Sequence, residues 1–413
     1  MRIKTKDIYI PLFLLIVFCQ LYLPSFRFNI FLQLFVLILF FLLDSKSLTN
    51  GIVNKIQPLF LIFCLGLLPM VFYEYKIINF IKDIAHFLKP ILGILLGYFL
   101  FKKVELKDFV KIIIVSGFLS ATVHLFLLLI SGELFFGNIN DIRNDFGKDD
   151  FLELFALLFA LFYGKFQKQQ IFKKSFINLI IIFILLISNV LYFSRTMIVG
   201  FLFVLLSIYG FTKINKKNIK MFLFIITTIG LIYIYLFTVK IDRNKPGLES
   251  FLYKIKIAPS ELFKANIDRE NHKDLWDHWR GYEAKRALAL MRDNPSSYVI
   301  GTGFGSLINL KFKAPLNEKG MKFISETHNG YIYVFYKTGI IGLILLFYFL
   351  IKLYLQTYRR HSFVSVFISS ISVFYFFTTL TITGIYNPRD VVIFILGGLI
   401  ALLHNGKYQM NNK

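Results

Sequence analysis

Runs of about 18 or more apolar residues constrain this chain more than any other feature, because a stretch of that length and polarity is a candidate spanning helix. They recur from end to end, as in IPLFLLIVFCQLYLPSF at 10–26 and INLIIIFILLISNVLYF at 177–193. The chain is 56% hydrophobic, against roughly 45–50% for a soluble domain, so the excess calls for a solvent other than water. The reading is an all-α polytopic membrane protein. Its first span is not a cleavable signal peptide, since it lacks a small-x-small site and runs on into a second span. Cys19 and Cys64 both fall inside apolar runs and read as packing residues, with no disulfide framework implied. The formal charge of +23 is explained by membrane topology, with Lys and Arg held in cytoplasmic loops, and requires no nucleic acid.

About twelve spans are expected, near 8–26, 28–44, 56–73, 81–101, 109–131, 151–164, 176–194, 196–212, 221–238, 329–351, 363–384 and 390–404. With both termini cytoplasmic, basic residues are roughly threefold more frequent in the inner segments than in the short outer ones, which sets the orientation. Residues 1–413 then form a single membrane domain. Residues 239–327 form a large extracytoplasmic loop inserted between spans nine and ten. A loop this long is usually functional or has structure of its own. Within it, DLWDHWRGYEAKRALALMRDN reads as one amphipathic helix, ended by Asn294-Pro295.

Charges in or beside spans are costly and tend to line cavities or functional paths. The topology gathers several on the outer side: Arg195 in YFSRTMIVG, Arg280 in the long loop, Arg143 in GNINDIRNDFGKDD, Arg389 in YNPRDV, and His328 opening span ten. Lys82, His86 and Lys89 share one face of span four. Each has a plain reading when taken alone. Arg195, Arg389, Lys82 and Lys89 read as anchors that snorkel to the headgroups, Arg280 as a charge on a solvated helix, and His328 as a structural histidine. As a set, outward arginines with a histidine imply an anionic ligand, and arginine's planar fork suits phosphate oxygens. A lipid-linked pyrophosphate fits that description.

Other patterns are weaker. Ser306 spoils a GxGxxG in GTGFGS at 301–306, which reads as a tight turn allowing close backbone approach. NHKDLWDH offers His272, Asp274, Asp277 and His278, but their spacing matches no zinc pattern, so no metal site is expected. No Ser/His/Asp set, P-loop or paired-carboxylate motif is present. Transporters usually place charges at the bilayer midplane, whereas these lie at one rim.

These features together resemble the O-antigen ligase and polymerase superfamily of bacterial envelope glycan assembly. His328-Asn329 followed by Gly339-x-x-Gly342 fits that family's His-Asn/Ser…Gly-x-x-Gly pattern. Ser194-Arg195-Thr196 follows a span, and Trp279-Arg280 leads through Asn294-Pro295 to Gly301-Thr302-Gly303-Phe304-Gly305. The twelve-span layout with its outer loop completes the likeness, which is best over about 180–350. The resemblance implies a GT-C-like, inverting, metal-independent and cofactor-free glycosyltransferase of the bacterial inner membrane. Its donor would be a polyprenyl-pyrophosphate-linked glycan and its acceptor another glycan, with membrane lipids, a flippase and a chain-length regulator as partners. By the same resemblance Arg195 and Arg280 would hold the pyrophosphate, with Arg143 and Arg389 as further donor-binding candidates, and His328 would be the base.

Leu343-Ile344 stands where ligases more often carry Thr-Trp, and the Phe/Ile-rich composition resembles that of repeat-unit polymerases. Polymerase is therefore the first expectation, ligase the alternative and a polysaccharide transporter the second alternative. Gly339 and Gly342 are expected to let a neighbouring helix pack close and so fix the histidine. Lys337 has no assigned role.

Overall fold

The computed structural model describes residues 5–23, 25–43, 49–132, 151–192, 194–242, 245, 248–264, 266–268, 270–316, 319–359 and 361–404. An α-helix stands at each stretch read as a span. They are α1 (Thr5–Tyr22), α2 (Phe26–Leu43), α3 (Asn50–Leu67), α4 (Ile77–Phe101), α5 (Leu106–Ser131), α6 (Phe151–Gln167), α7 (Ser175–Leu191), α8 (Arg195–Ile208) and α9 (Lys216–Thr238). After the loop come α14 (Gly330–Tyr354), α15 (Phe363–Thr381) and α16 (Val392–His404). Among the described residues six helices are long and apolar enough to cross a membrane: α3, α4, α5, α9, α14 with the turn after it, and α15. Of the rest, α6, α7, α8 and α16 are shorter, at 17, 17, 14 and 13 residues. Only Asn218 and Leu236 of α9 are buried, so its rows of Phe, Ile and Leu face outward as lipid-exposed side chains do.

The centre of the bundle is α4 against α16, where glycines remove the side chains that would hold the backbones apart. A Cβ on Gly97 would stand 2.2 Å from the Phe394 carbonyl oxygen, and one on Gly397 2.2 Å from that of Ile94. Small residues at such a crossing let dispersion and backbone contact drive association where hydrophobicity cannot.

The segment between α9 and α14 folds into α10 (Leu248–Phe263), α11 (His272–Asp277), α12 (Trp279–Arg292), α13 (Ser297–Ile300) and a two-stranded antiparallel hairpin, β1 (Ile308–Ala314) with β2 (Met321–Ile324). The single amphipathic helix expected over 274–294 is thus two helices, broken at His278 (φ −117°, ψ 24°). The break turns α12 so that Tyr282 donates to the Leu310 carbonyl at 2.5 Å and Arg286 to that of Asn309 at 2.7 Å, which docks the hairpin. Leu275, Trp279, Ala287, Met291, Ile308 and Leu310 are buried between these pieces.

The glycine motif of α14 acts differently from expectation. Gly339 has φ 67° and ψ −170°, so α14 is broken there. Its α-carbon lies against backbone of the loop, where a Cβ would stand 2.1 Å from the Val299 carbonyl oxygen, rather than against another span. The 301–306 turn fills the break from the other side. Thr302 and Gly303 donate their N–H groups to the carbonyls of Tyr336 (2.7 Å) and Lys337 (3.0 Å), which the break leaves without helical partners. The turn and the Gly-x-x-Gly are therefore one structure.

Lys337 is fully buried beside this break, as is its partner Asp83 of α4, with Nζ 2.5 Å from Oδ2. Lys337 also donates to the carbonyl and hydroxyl of Ser306, while Gly305 donates its N–H to the same Asp83 oxygen at 2.7 Å. Lys89 does not snorkel either. It is buried and donates to the carbonyls of Asn387 and Asp390, and so holds the 387–390 loop. Lys82 remains exposed.

Removing one partner of a buried ion pair strands the other charge, at a cost of about 3–5 kcal/mol. Asp83→Leu and Lys337→Met alone are expected to lower the detergent melting temperature sharply. The double variant Asp83→Leu with Lys337→Met should lose much less than the sum of the single losses, as a thermal-shift double-mutant cycle would measure.

Candidate functional site

The polar ends of α4, α8, α14 and α15 meet the loop at one end of the bundle. Asn329 caps α14, its side-chain oxygen accepting from the N–H groups of Tyr331 (3.0 Å) and Ile332 (3.1 Å). That cap sets where the helix begins and puts His328 just outside it. Ser194 caps α8 in the same way through Met197, so that Arg195 is the helix's first residue. A cation at the positive end of a helix dipole is disfavoured by itself. Placing one there concentrates positive potential.

His328 is oriented by a residue that sequence reasoning missed. Glu283, on α12, is buried and takes two hydrogen bonds from His328: one from the backbone N–H (2.8 Å) and one from ring Nδ1 (3.0 Å). An ionised carboxylate only accepts, so Nδ1 carries the proton and Nε2 keeps its lone pair. The imidazole is half exposed while the carboxylate is sealed. Burial acts to lower the histidine's pKa, but the hydrogen bond and charge of Glu283 outweigh it and hold the imidazole above its ordinary range.

His328, Glu283 and Glu326 line a cavity of about 310 Å³, with Thr383 and Asn387 as further polar groups and Leu316, Ile324, Ile382 and Pro388 as an apolar wall. Burial pushes the Glu326 carboxyl up to about 7, against the pull of Lys82 and His328. Its oxygen lies 3.6 Å from Nδ1 of His86, so the unassigned His86 backs the cavity from α4.

Arg280 lies one turn before Glu283 on α12, and residues three apart on a helix are neighbours. It donates through Nε to the Thr381 carbonyl (2.9 Å) and through Nη1 to Glu261 Oε2 (2.6 Å). The other oxygen of that carboxylate, Oε1, lies 3.3 Å from Nη2 of Arg195. One carboxylate thus bridges the two arginines singled out from sequence. Arg195 also donates to the Lys254 carbonyl at 2.5 Å. The indole nitrogen of Trp279 and the hydroxyl of Thr381 are buried with no hydrogen-bond partner among the described residues. Unpaired buried donors of this kind call for an explanation such as a ligand.

The other candidates fare differently. Arg389 is exposed in the loop that lends Asn387 and Pro388 to the cavity, and its side chain is not part of the lining. Arg143 lies outside the described residues. Asp274 and His278 pair with each other, and Lys264 pairs with Asp274. Among the described residues no group of three or more His, Cys, Asp or Glu converges to hold a metal ion.

A bundle of apolar helices with a polar, arginine-bearing site at one end defines a multi-pass membrane protein. A family model described as O-antigen ligase matches residues 179–347, and over that stretch the chain is similar to this family. That span runs from α7 through most of α14 and includes Arg195, Glu261, Arg280, Glu283 and His328. No curated protein and no solved structure matches the chain.

Glu283 raises the histidine's pKa, so removing its charge should lower it. In detergent, the pH at which His328 becomes half-reactive to diethyl pyrocarbonate is expected above 6.5 in the native protein and lower in Glu283→Gln. An unmoved midpoint would mean that the carboxylate does not govern the imidazole.

Proposed function

We propose that this protein is a membrane glycosyltransferase that polymerises lipid-linked oligosaccharide repeat units on the outer face of the bacterial cytoplasmic membrane. The observation that carries the reading is the Glu283–His328 dyad, one helix turn from the Arg280–Glu261–Arg195 bridge, at the edge of a cavity large enough for a small ligand. The donor is a glycan joined through its anomeric carbon to a polyprenyl diphosphate. An acceptor sugar hydroxyl enters the cavity beside His328. Nε2 takes the hydroxyl proton as the oxygen attacks the anomeric carbon, and the bond from that carbon to the diphosphate oxygen breaks on the opposite face. Configuration inverts. The diphosphate leaves with the electron pair, and Arg195 and Arg280 absorb the charge that develops on it. Glu283 holds the tautomer that leaves Nε2 basic and stabilises the imidazolium once formed, without itself taking the proton.

Transfer onto another repeat unit gives a polymer; transfer onto a finished lipid or core acceptor gives a ligated glycan. The departure at Leu343-Ile344 and the Phe/Ile-rich composition support the polymerase. The description of the matching family, O-antigen ligase, supports the second reading.

His328→Ala is expected to cut turnover about 10²–10⁴-fold, the usual worth of a general base, while expression holds. In cells carrying it, single repeat units should accumulate on the lipid carrier. Full-length polymer retained on the carrier would identify the ligase instead, and normal long polymer on its final acceptor would remove the histidine from the mechanism. Arg195→Lys keeps the charge but loses the planar fork. It is expected to cost about 10²-fold in kcat, as the loss of one charge-stabilising donor does, in assays of the purified enzyme with extracted lipid-linked donor.

A further inference from the structure

We propose that Glu261 is a working part of the donor site: its carboxylate occupies the anion position between Arg195 and Arg280 and is displaced when a diphosphate enters. This rests on the reading of the two arginines as the donor's diphosphate site.

Glu261 presents one oxygen to each guanidinium, at 3.3 Å to Arg195 Nη2 and 2.6 Å to Arg280 Nη1. Carboxylate and phosphate offer arginine the same kind of paired acceptor, so the geometry that receives one receives the other. Exposure separates this contact from the structural ion pair nearby. The Lys337–Asp83 pair is fully sealed, whereas Glu261 is 14% exposed and its arginines 23% and 26%. Ions that still reach solvent can be exchanged without the full desolvation cost of a buried pair.

The residue's anchorage points the same way. Glu261 stands near the end of α10, a loop helix, while Arg195 begins α8 and Arg280 is tied to the end of α15 through the Thr381 carbonyl. Arg195 therefore belongs to a membrane helix, and Arg280, on the loop helix α12, is fastened to another, whereas Glu261 reaches the site only from the last turns of α10. Two residues before Glu261, α10 contains Pro259. A proline inside a helix removes one backbone hydrogen bond and crowds the preceding turn, so the last turn of α10 is the part best able to yield. Glu261 carries a single charge, and an entering diphosphate brings more charge to the same two cations. After transfer, the carboxylate competes for them with the departing lipid diphosphate. Glu261 on this account lowers donor affinity and favours release, because a competitor that fills a site reduces its apparent affinity by the fraction of molecules it occupies.

The test is the binding of farnesyl diphosphate, a short polyprenyl diphosphate, to the full-length protein in detergent, followed by microscale thermophoresis. Glu261→Gln and Glu261→Ala are both expected to bind it about threefold or more tightly than the native protein, and Arg280→Ala should abolish binding in either background. Equal or weaker binding in Glu261→Gln would overturn the proposal and make the carboxylate an organiser of the arginines. The underlying site fails in a different way: Arg195→Ala and Arg280→Ala would then bind like the native protein, whatever the Glu261 variants do.

Discussion

The 301–306 turn is held in place by the ammonium of Lys337, which is buried together with the carboxylate of Asp83 and bonded to Ser306. A lone charge at that depth would be costly, so the three segments that satisfy it are locked together. α4 supplies the carboxylate, the turn supplies a carbonyl, a hydroxyl and the Gly305 N–H, and α14 supplies the lysine. The same turn reaches the end of α3, where Phe304 donates its N–H to the Gly66 carbonyl at 2.9 Å, and Tyr75 donates to the Thr302 carbonyl at 2.7 Å. The backbone of the loop is thereby fastened to three membrane helices, and α12 and the hairpin rest on what the turn fixes.

From Asp83 through Glu283 to Glu261 the carboxylates of the ion pairs become more open to water. Asp83 is sealed and structural. Glu283 is buried but serves a half-exposed imidazole, so it transmits an electrostatic effect to a surface where reactants can arrive. Glu261 is itself partly exposed and touches two partly exposed guanidiniums. α12 joins the second and third of these, because Arg280 and Glu283 lie one turn apart. A shift of that helix would move Arg280 and the histidine's partner together.

The helices were legible because the membrane writes them into composition: apolar runs of spanning length cannot be anything else for long. Arg195, Arg280 and His328 stood out because charge beside a span is conspicuous. Their partners did not stand out. Glu283 and Glu261 sit in a polar loop among other acids, where nothing local marks them, and Asp83 lies 254 positions from the lysine it neutralises. Lys337 was visible as an anomaly yet had no reading, since a buried cation can be explained only by what surrounds it. The glycines misled for a related reason. Gly-x-x-Gly in an apolar helix suggests a packing face, but Gly339 is needed for its positive φ, and the chain it approaches is the 299–303 segment. The GTGFGS turn and this glycine each carry half of one feature.

The break at Gly339 has a mechanical meaning for His328. A continuous α14 would act as a lever, carrying any tilt or rotation of its lipid-embedded end straight to the residue at its tip. With its hydrogen-bond ladder interrupted, the first part of α14 is clamped to the turn and to α4, and the remainder is a separate rod. The imidazole therefore takes its position from the polar loop and the central helix, insulated from how the rest of that span settles in a bilayer of changing thickness.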